Sequence, residues 1–208
     1  MTYTYNPIYH HFKGENVTRA ELIERTMIQI ILKSKLPDDD RSWSKTFELK
    51  HTSSVAQMGR MLAQKRGLDT SLAAIMCAMH DIYVFTTGRA SNHAHKGAVI
   101  AEKLLKKTKR FTPAEIKLIC TAIYNHTDKS VVSKNPYVEL LKDADVLDSG
   151  LYDGVHDAYV YEKSQSNCRA YFDRIKKVRK ELALPKEPKW DSIEYVEQAK
   201  GYTKKLHK

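Results

Sequence analysis

Six positions along this chain carry side chains suited to holding a cation: His51, the adjacent His80 and Asp81, His93, His126 and Asp145. Neutral imidazoles and carboxylates together satisfy one or two divalent ions, and such ions activate water and neutralise developing negative charge. His51, His80, Asp81 and Asp145 would hold one ion and leave positions open for water. Adding His93 and His126 makes six ligands, with Asp81 placed to bridge two ions.

Residues so far apart must be brought together by secondary structure, and the pattern around each is helical. His51 shares a face with Val55, Met58 and Leu62; His93 with Gly97, Ile100 and Leu104; His126 with Ile119 and Ile123. His80 follows Leu72 and Met76 on one face, and Asp145 follows Val138 and Leu141. Each polar group therefore occupies a core position. One histidine on an apolar face is ordinarily a satisfied core residue. Five helices each sending an imidazole or carboxylate inward is another matter, because a buried carboxylate is costly unless something answers it. No Arg lies on the faces of Asp81 and Asp145 to do so, and a metal centre removes the difficulty.

The helices have legible ends. Thr18 and Glu21 form a capping box that opens a helix over 18–34, stopped by "LPDDD". A second runs from Ser44 or Thr46 to Gly67, a suitable C-terminal cap. Asp69 or Thr70 opens a third, "SLAAIMCAMHD". After the loop "TTGRASN", "HAHKGAVIAEKLLKK" restores helical periodicity, and Thr112, Pro113 and Glu115 start the helix "AEIKLICTAIYNH". Further helices are expected over 136–148, 167–182 and 191–206, with "LPKEPKW" as a linker. Strand-like alternation is nearly absent, "YVF" at 83–85 being the one β-prone stretch. The expected fold class is all-α, an irregular helical bundle. One domain over 1–184 is expected, with its core at about 45–155 and helix 18–34 packed on it, followed by a linker and a basic C-terminal helix over 185–208.

Composition narrows the class. A chain of 208 residues, 42% hydrophobic and 29% charged, buries one substantial core. No signal segment opens it, and "LAAIMCAM" is too short to span a bilayer, so no membrane partner and a cytoplasmic location are expected. Cys77, Cys120 and Cys168 are odd in number and scattered, which argues against a disulfide framework or a Cys-based zinc site. The net charge of +10 favours anionic partners: phosphorylated small molecules, nucleotides or nucleic acid. The runs "EKLLKKTKR" and "DRIKKVRKEL" read as solvated helix faces. Assembly as a homo-oligomer stays open.

With the residues in this order, the chain resembles the HD-domain superfamily of metal-dependent phosphohydrolases, whose signature is a His, a distant His-Asp doublet and a later Asp on an all-α bundle. The matching pieces are His51 in "KHTSSVAQMGRMLA", the doublet in "CAMHDIYVF" and Asp145 in "LLKDADVLDSG". The resemblance covers roughly residues 45 to 155. "HAHKGA" resembles the family's His-bearing start of the next helix, which selects His93 over His95. "AIYNHTD" resembles the binuclear members, making His126 a second-metal ligand. That subset includes dinucleotide polyphosphate hydrolases and cyclic dinucleotide phosphodiesterases. "GVHDAY" repeats the bare doublet, as His156 and Asp157, without the surrounding motif. The chain departs from many family hydrolases in lacking a Lys soon after the doublet, where Ile82 to Phe85 stand. It also lacks the acidic pair that marks guanosine tetraphosphate hydrolases. Asp143 rivals Asp145, and "ADVLD" favours Asp145.

The resemblance implies hydrolysis of a phosphate ester or anhydride on a nucleotide or related compound by metal-activated water, as a phosphomonoesterase or phosphodiesterase. His80 and Asp81 are the expected catalytic pair. Arg89, Lys96, Lys129 and Asp148 are the expected substrate contacts, Asp148 alternatively orienting a ligand. Manganese, iron, nickel, cobalt, magnesium and zinc all suit such ligands. The superfamily's di-iron oxygenases use similar sites, and a binding module with a structural metal is the non-catalytic alternative.

Overall fold

The computed structural model describes residues 11–191, and the expected C-terminal helix at 191–206 with its basic tail "AKGYTKKLHK" falls outside them apart from its first residue. Within the described residues the chain is all-α and has no strand. It runs through α1 (Arg19–Lys33), α2 (Lys45–Arg66), α3 (Thr70–Met79), α4 (Ile82–Thr87), α5 (His93–Thr108), α6 (Pro113–Asn125), α7 (Pro136–Ser149), α8 (Val155–Glu162) and α9 (Gln165–Glu181). No helix among the described residues is long and apolar enough to cross a membrane.

The caps act as the sequence requires. Thr18 and Thr112 close reciprocal capping boxes with Glu21 and Glu115, and Ser44 and Asp69 accept hydrogen bonds from the first turns of α2 and α3. Gly67 ends α2 in a left-handed conformation that costs glycine little. Two stretches differ from expectation. "YVF" lies in α4, because its side chains continue the buried face begun on α3 and its amides bond back to the Asp81 carbonyl. The segment between α7 and α9, expected as a loop, forms α8.

Helix α3 is apolar all round and is the centre of the bundle, with α1, α2, α6 and α7 against it. Its closest neighbour is α2. A Cβ added at Gly59 of α2 would stand 2.5 Å from Cys77 Sγ and 3.3 Å from the Ala73 carbonyl, so glycine is what permits this approach. That contact sets His51 and His80 at a common level.

A buried ion pair fixes the other end of the layer. Arg41 bonds Glu48 of α2 in a fork, at 2.8 and 2.7 Å from Nη2, and reaches Ser34 and the Val84 carbonyl of α4. Burial raises the Glu48 carboxyl above its ordinary range, against the opposing pull of Arg41. A smaller cluster of Val146, Tyr159, Val160, Phe172, Ile175 and Trp190 lies beyond α7. "LPKEPKW" joins it through Trp190, which is 1% exposed and packs on Phe172 and His156.

Candidate metal centre

His80 caps the C-terminus of α3, and Asp81 occupies the N-cap of α4. An N-cap aspartate ordinarily accepts from the amides of the following turn. Asp81 does not, and its carboxylate instead turns inward among four histidines. His51 arrives from the middle of α2, His93 from the first turn of α5 beyond left-handed Asn92, His126 from the C-cap of α6, and Asp145 from α7.

The two oxygens of Asp81 divide the histidines into pairs. Oδ2 lies 3.1 Å from His80 Nε2 and 3.7 Å from His51 Nε2. Oδ1 lies 3.2 Å from His93 Nε2 and 3.6 Å from His126 Nε2. Asp145 Oδ1 joins the first pair, 3.4 Å from His51 Nε2. Three overlapping trios bring ligand atoms close enough to share an ion: His51, His80 and Asp81; His80, His126 and Asp145; Asp81, His93 and His126.

The far nitrogens determine what the near ones can do. His80, His93 and His126 each place Nδ1 against a backbone carbonyl, of Cys77, Ala90 and Ile123, at 2.7, 2.7 and 2.6 Å. A carbonyl can only accept, so Nδ1 carries the proton. His51 Nδ1 likewise donates to the Asp148 carboxylate. In the neutral rings every Nε2 is then a bare lone pair, and these are the atoms that converge. His51 faces His80, and His93 faces His126, at 3.2 Å between Nε2 atoms in each pair. Where both rings of a pair are neutral, two lone pairs do not attract at that distance without a cation between them. Asp81 Oδ1 is also buried with no hydrogen bond from any described residue. Four oriented imidazoles and two carboxylates, one of them with an orphaned oxygen, form a donor set that fits divalent metal.

The charges agree. Burial alone would raise Asp81, but the imidazoles of His80, His126 and His93 hold it well below the ordinary carboxylate range. Burial opposes ionisation of Asp145 too, and the Lys129 ammonium with His51 keeps it well below. Burial lowers His126 to about 4. Burial also works against protonated His51, but hydrogen bonds to Asp145 and Asp148 win and raise it to about 10.

A consequence follows for pH. Without metal, the extra His51 proton stands where a cation would go. Because its pKa rises from 6.5 to about 10, the stability it contributes is complete below about pH 6.5 and is lost as pH climbs through about 10. His51 Nε2 would give up that proton on holding a metal ion. The thermal midpoint of chelator-treated protein is therefore expected to fall over this window more steeply than that of manganese-loaded protein. Calorimetry in buffers of different ionisation enthalpy should show proton release on metal binding near pH 7. Identical pH profiles with and without metal would contradict this protonation scheme.

The remaining expected site residues lie elsewhere. Lys129 is buried, its ammonium 2.6 Å from both Asp145 Oδ2 and the His126 carbonyl, so it anchors a carboxylate and supplies the answering cation the helix faces did not reveal. Asp148 is spent on orienting His51. Arg89 is exposed just after Gly88, and Lys96 points outward with its ammonium over Tyr83, 4.9 Å from the ring centre. Neither is among the residues that line the cavity above the centre. His95 is also outside, stacked on Tyr124. Asp143 lies on the far side of α7 among Arg66, Arg174 and Lys177.

The cavity has a volume of about 540 Å³, within the range of small-molecule sites. His51, Asp81, His93, His126 and Asp145 form its floor, and Trp43, Phe47, Tyr152, Tyr159, Tyr171 and Lys163 its walls. Phe47 stacks on the His51 ring at 5.2 Å, and Trp43 meets His93 edge-on. These wall residues were not singled out from sequence. The aromatic side chains sit one helical turn before His51 and two turns before it, a spacing that could have drawn attention.

Residues 49–150 match the model of the HD domain. Neither a curated protein nor a solved structure gives a significant match. The matched segment contains all six convergent side chains and ends at the close of α7. With that match and that cluster, residues 49–150 are an HD domain, the fold of a superfamily of metal-dependent phosphohydrolases, with His and Asp side chains that could hold a metal.

Proposed function

We propose that this protein hydrolyses phosphate esters or anhydrides of nucleotides or related organic phosphates, using two divalent ions. His51, His80, Asp81 and Asp145 would hold one, and His93, His126 and Asp81 the other. The observation that carries this reading is the division of the Asp81 carboxylate, one oxygen to each pair of inward-facing Nε2 atoms. Such ions, when bound, supply a water of lowered pKa as nucleophile and neutralise charge on phosphoryl oxygens.

The chain's own residues do the positioning. Asp148 and the carbonyls of Cys77, Ala90 and Ile123 fix the four rings in one tautomer, so their lone pairs are presented without reorganisation. Lys129 holds one oxygen of Asp145 and leaves the other for the centre. The Lys129 backbone is held in turn by Arg174 Nε, 2.7 Å from its carbonyl. Trp43, Phe47 and Tyr152 keep one wall apolar, which suits a planar ring and limits water.

The test is a screen of p-nitrophenyl phosphate, bis-p-nitrophenyl phosphate and nucleotides against protein loaded with manganese, iron or nickel, with and without dioxygen. Metal-dependent turnover that survives anaerobic conditions and stops with chelator is expected. Absence of turnover of every phosphate compound with every metal would overturn the reading, as would a strict need for dioxygen.

A further inference from the structure

One wall of the cavity comes from residues beyond 150, outside the family match. Lys163 ends α8 there and is half-buried. Its ammonium lies 4.9 Å from the ring centre of Tyr159 and 4.5 Å from that of Tyr171. Asp153 and Glu162 also border the cavity, yet Lys163 forms no salt bridge with them or with any other described residue. The Tyr171 ring lies 5.8 Å from Lys129 Nζ as well, so Lys163 stands one aromatic ring away from the residue that anchors Asp145.

Other lysines here show what the ordinary roles look like. Lys177 pairs with buried Asp143, and Lys106 is exposed beside Glu102 on its own helix. Lys163 has neither a carboxylate nor full solvent. Aromatic faces stabilise a cation, but they leave its N–H donors unused. Burial accordingly pulls its pKa below the usual lysine range. An anion entering the cavity would fill those donors, while the residues of the floor would serve the reacting phosphoryl group through the ions they would hold.

Resting on the phosphohydrolase reading above, we propose that Lys163 is a specificity-determining residue that binds a second anionic group of the substrate, a phosphate or a carboxylate. The substrate class is then an organic phosphate with two separated negative groups, its apolar body lying against Trp43, Phe47 and Tyr152.

Three non-hydrolysable probes on one ring test this by calorimetric binding to the manganese-loaded full chain: phenylphosphonate, 4-phosphonobenzoate and 1,4-phenylenediphosphonate. Wild type is expected to bind at least one of the doubly substituted probes about tenfold more tightly than phenylphosphonate, the scale of one charge-assisted hydrogen bond. A larger gain for the diphosphonate assigns a phosphate, and for the phosphonobenzoate a carboxylate. Lys163→Met, which keeps the apolar stem, should lose the preference while binding phenylphosphonate as wild type does, and Lys163→Arg should restore it. Phenylphosphonate binding without any preference in wild type, or a preference that survives in Lys163→Met, overturns this proposal alone. No binding of any probe overturns it together with the phosphohydrolase reading.

Discussion

Replacing Asp81 with alanine is expected to lower phosphate-ester turnover at least about a thousandfold and to remove the thermal stabilisation that manganese confers. The reasoning rests on one carboxylate serving two groups of ligands: Oδ2 with His80 and His51, and Oδ1 with His93 and His126. Loss of a residue that merely orients a ligand costs about 10- to 100-fold in metal affinity or activity. That smaller effect is what Asp148→Ala should show, because only the orientation of His51 is lost. Asp81 touches both halves of the centre, so its removal should exceed that range. Asp81→Asn is the sharper control. It keeps the volume and removes the charge, and it should remain folded without metal. Near-normal turnover in either variant would exclude Asp81 from the reaction.

The largest expected stability effect belongs to Asp143, two residues before Asp145 and opposite in role. Its carboxylate is fully buried, 2.7 Å from Arg66, 3.0 Å from Arg174 and 3.1 Å from Lys177. It ties the end of α2 to α7 and α9. Truncating one member of a buried ionic cluster leaves the others without compensation, at a cost of about 3 to 5 kcal/mol. For a chain of this size that corresponds to a fall in thermal midpoint of about 10 °C. Asp143→Ala should show this by denaturation while retaining metal binding at low temperature. Asp145→Asn should do the reverse, losing metal affinity with a smaller stability change, because its amide oxygen can still accept from the buried Lys129 ammonium. If Asp143→Ala loses metal and leaves stability intact, the two aspartates have been assigned to the wrong faces.

The contrast between these neighbours shows how much of the molecule was legible beforehand. Helical period placed His51, His80, His126 and Asp145 on inward faces because a 3.6-residue repeat depends only on local spacing. The capping signals at Thr18, Ser44, Asp69 and Thr112 are equally local and match the observed helix starts. Partnership is not local. Lys129 and Asp148 carry charges that could have faced a ligand, but tertiary packing turns one to Asp145 and the other to His51. Arg89 and Lys96 lie near His93 in sequence but are exposed and not among the residues that line the cavity. Lys163 gave no signal at all, since its place depends on α8, which short length and weak amphipathicity hid, and on one tyrosine four residues before it and another eight residues after it. The Arg41 to Glu48 pair was unread for the same reason: it joins two helices through a residue in the loop between them.

On the proposed function, Asp81 would stand between two cation positions. The most direct test is the number of manganese ions bound per chain at saturation, measured by equilibrium titration with elemental analysis, in wild type and in His126→Ala. Two are expected in wild type and one in the variant, because His51, His80 and Asp145 stay in place with Asp81 Oδ2. The same count in both proteins, or no bound ion in wild type, would contradict it.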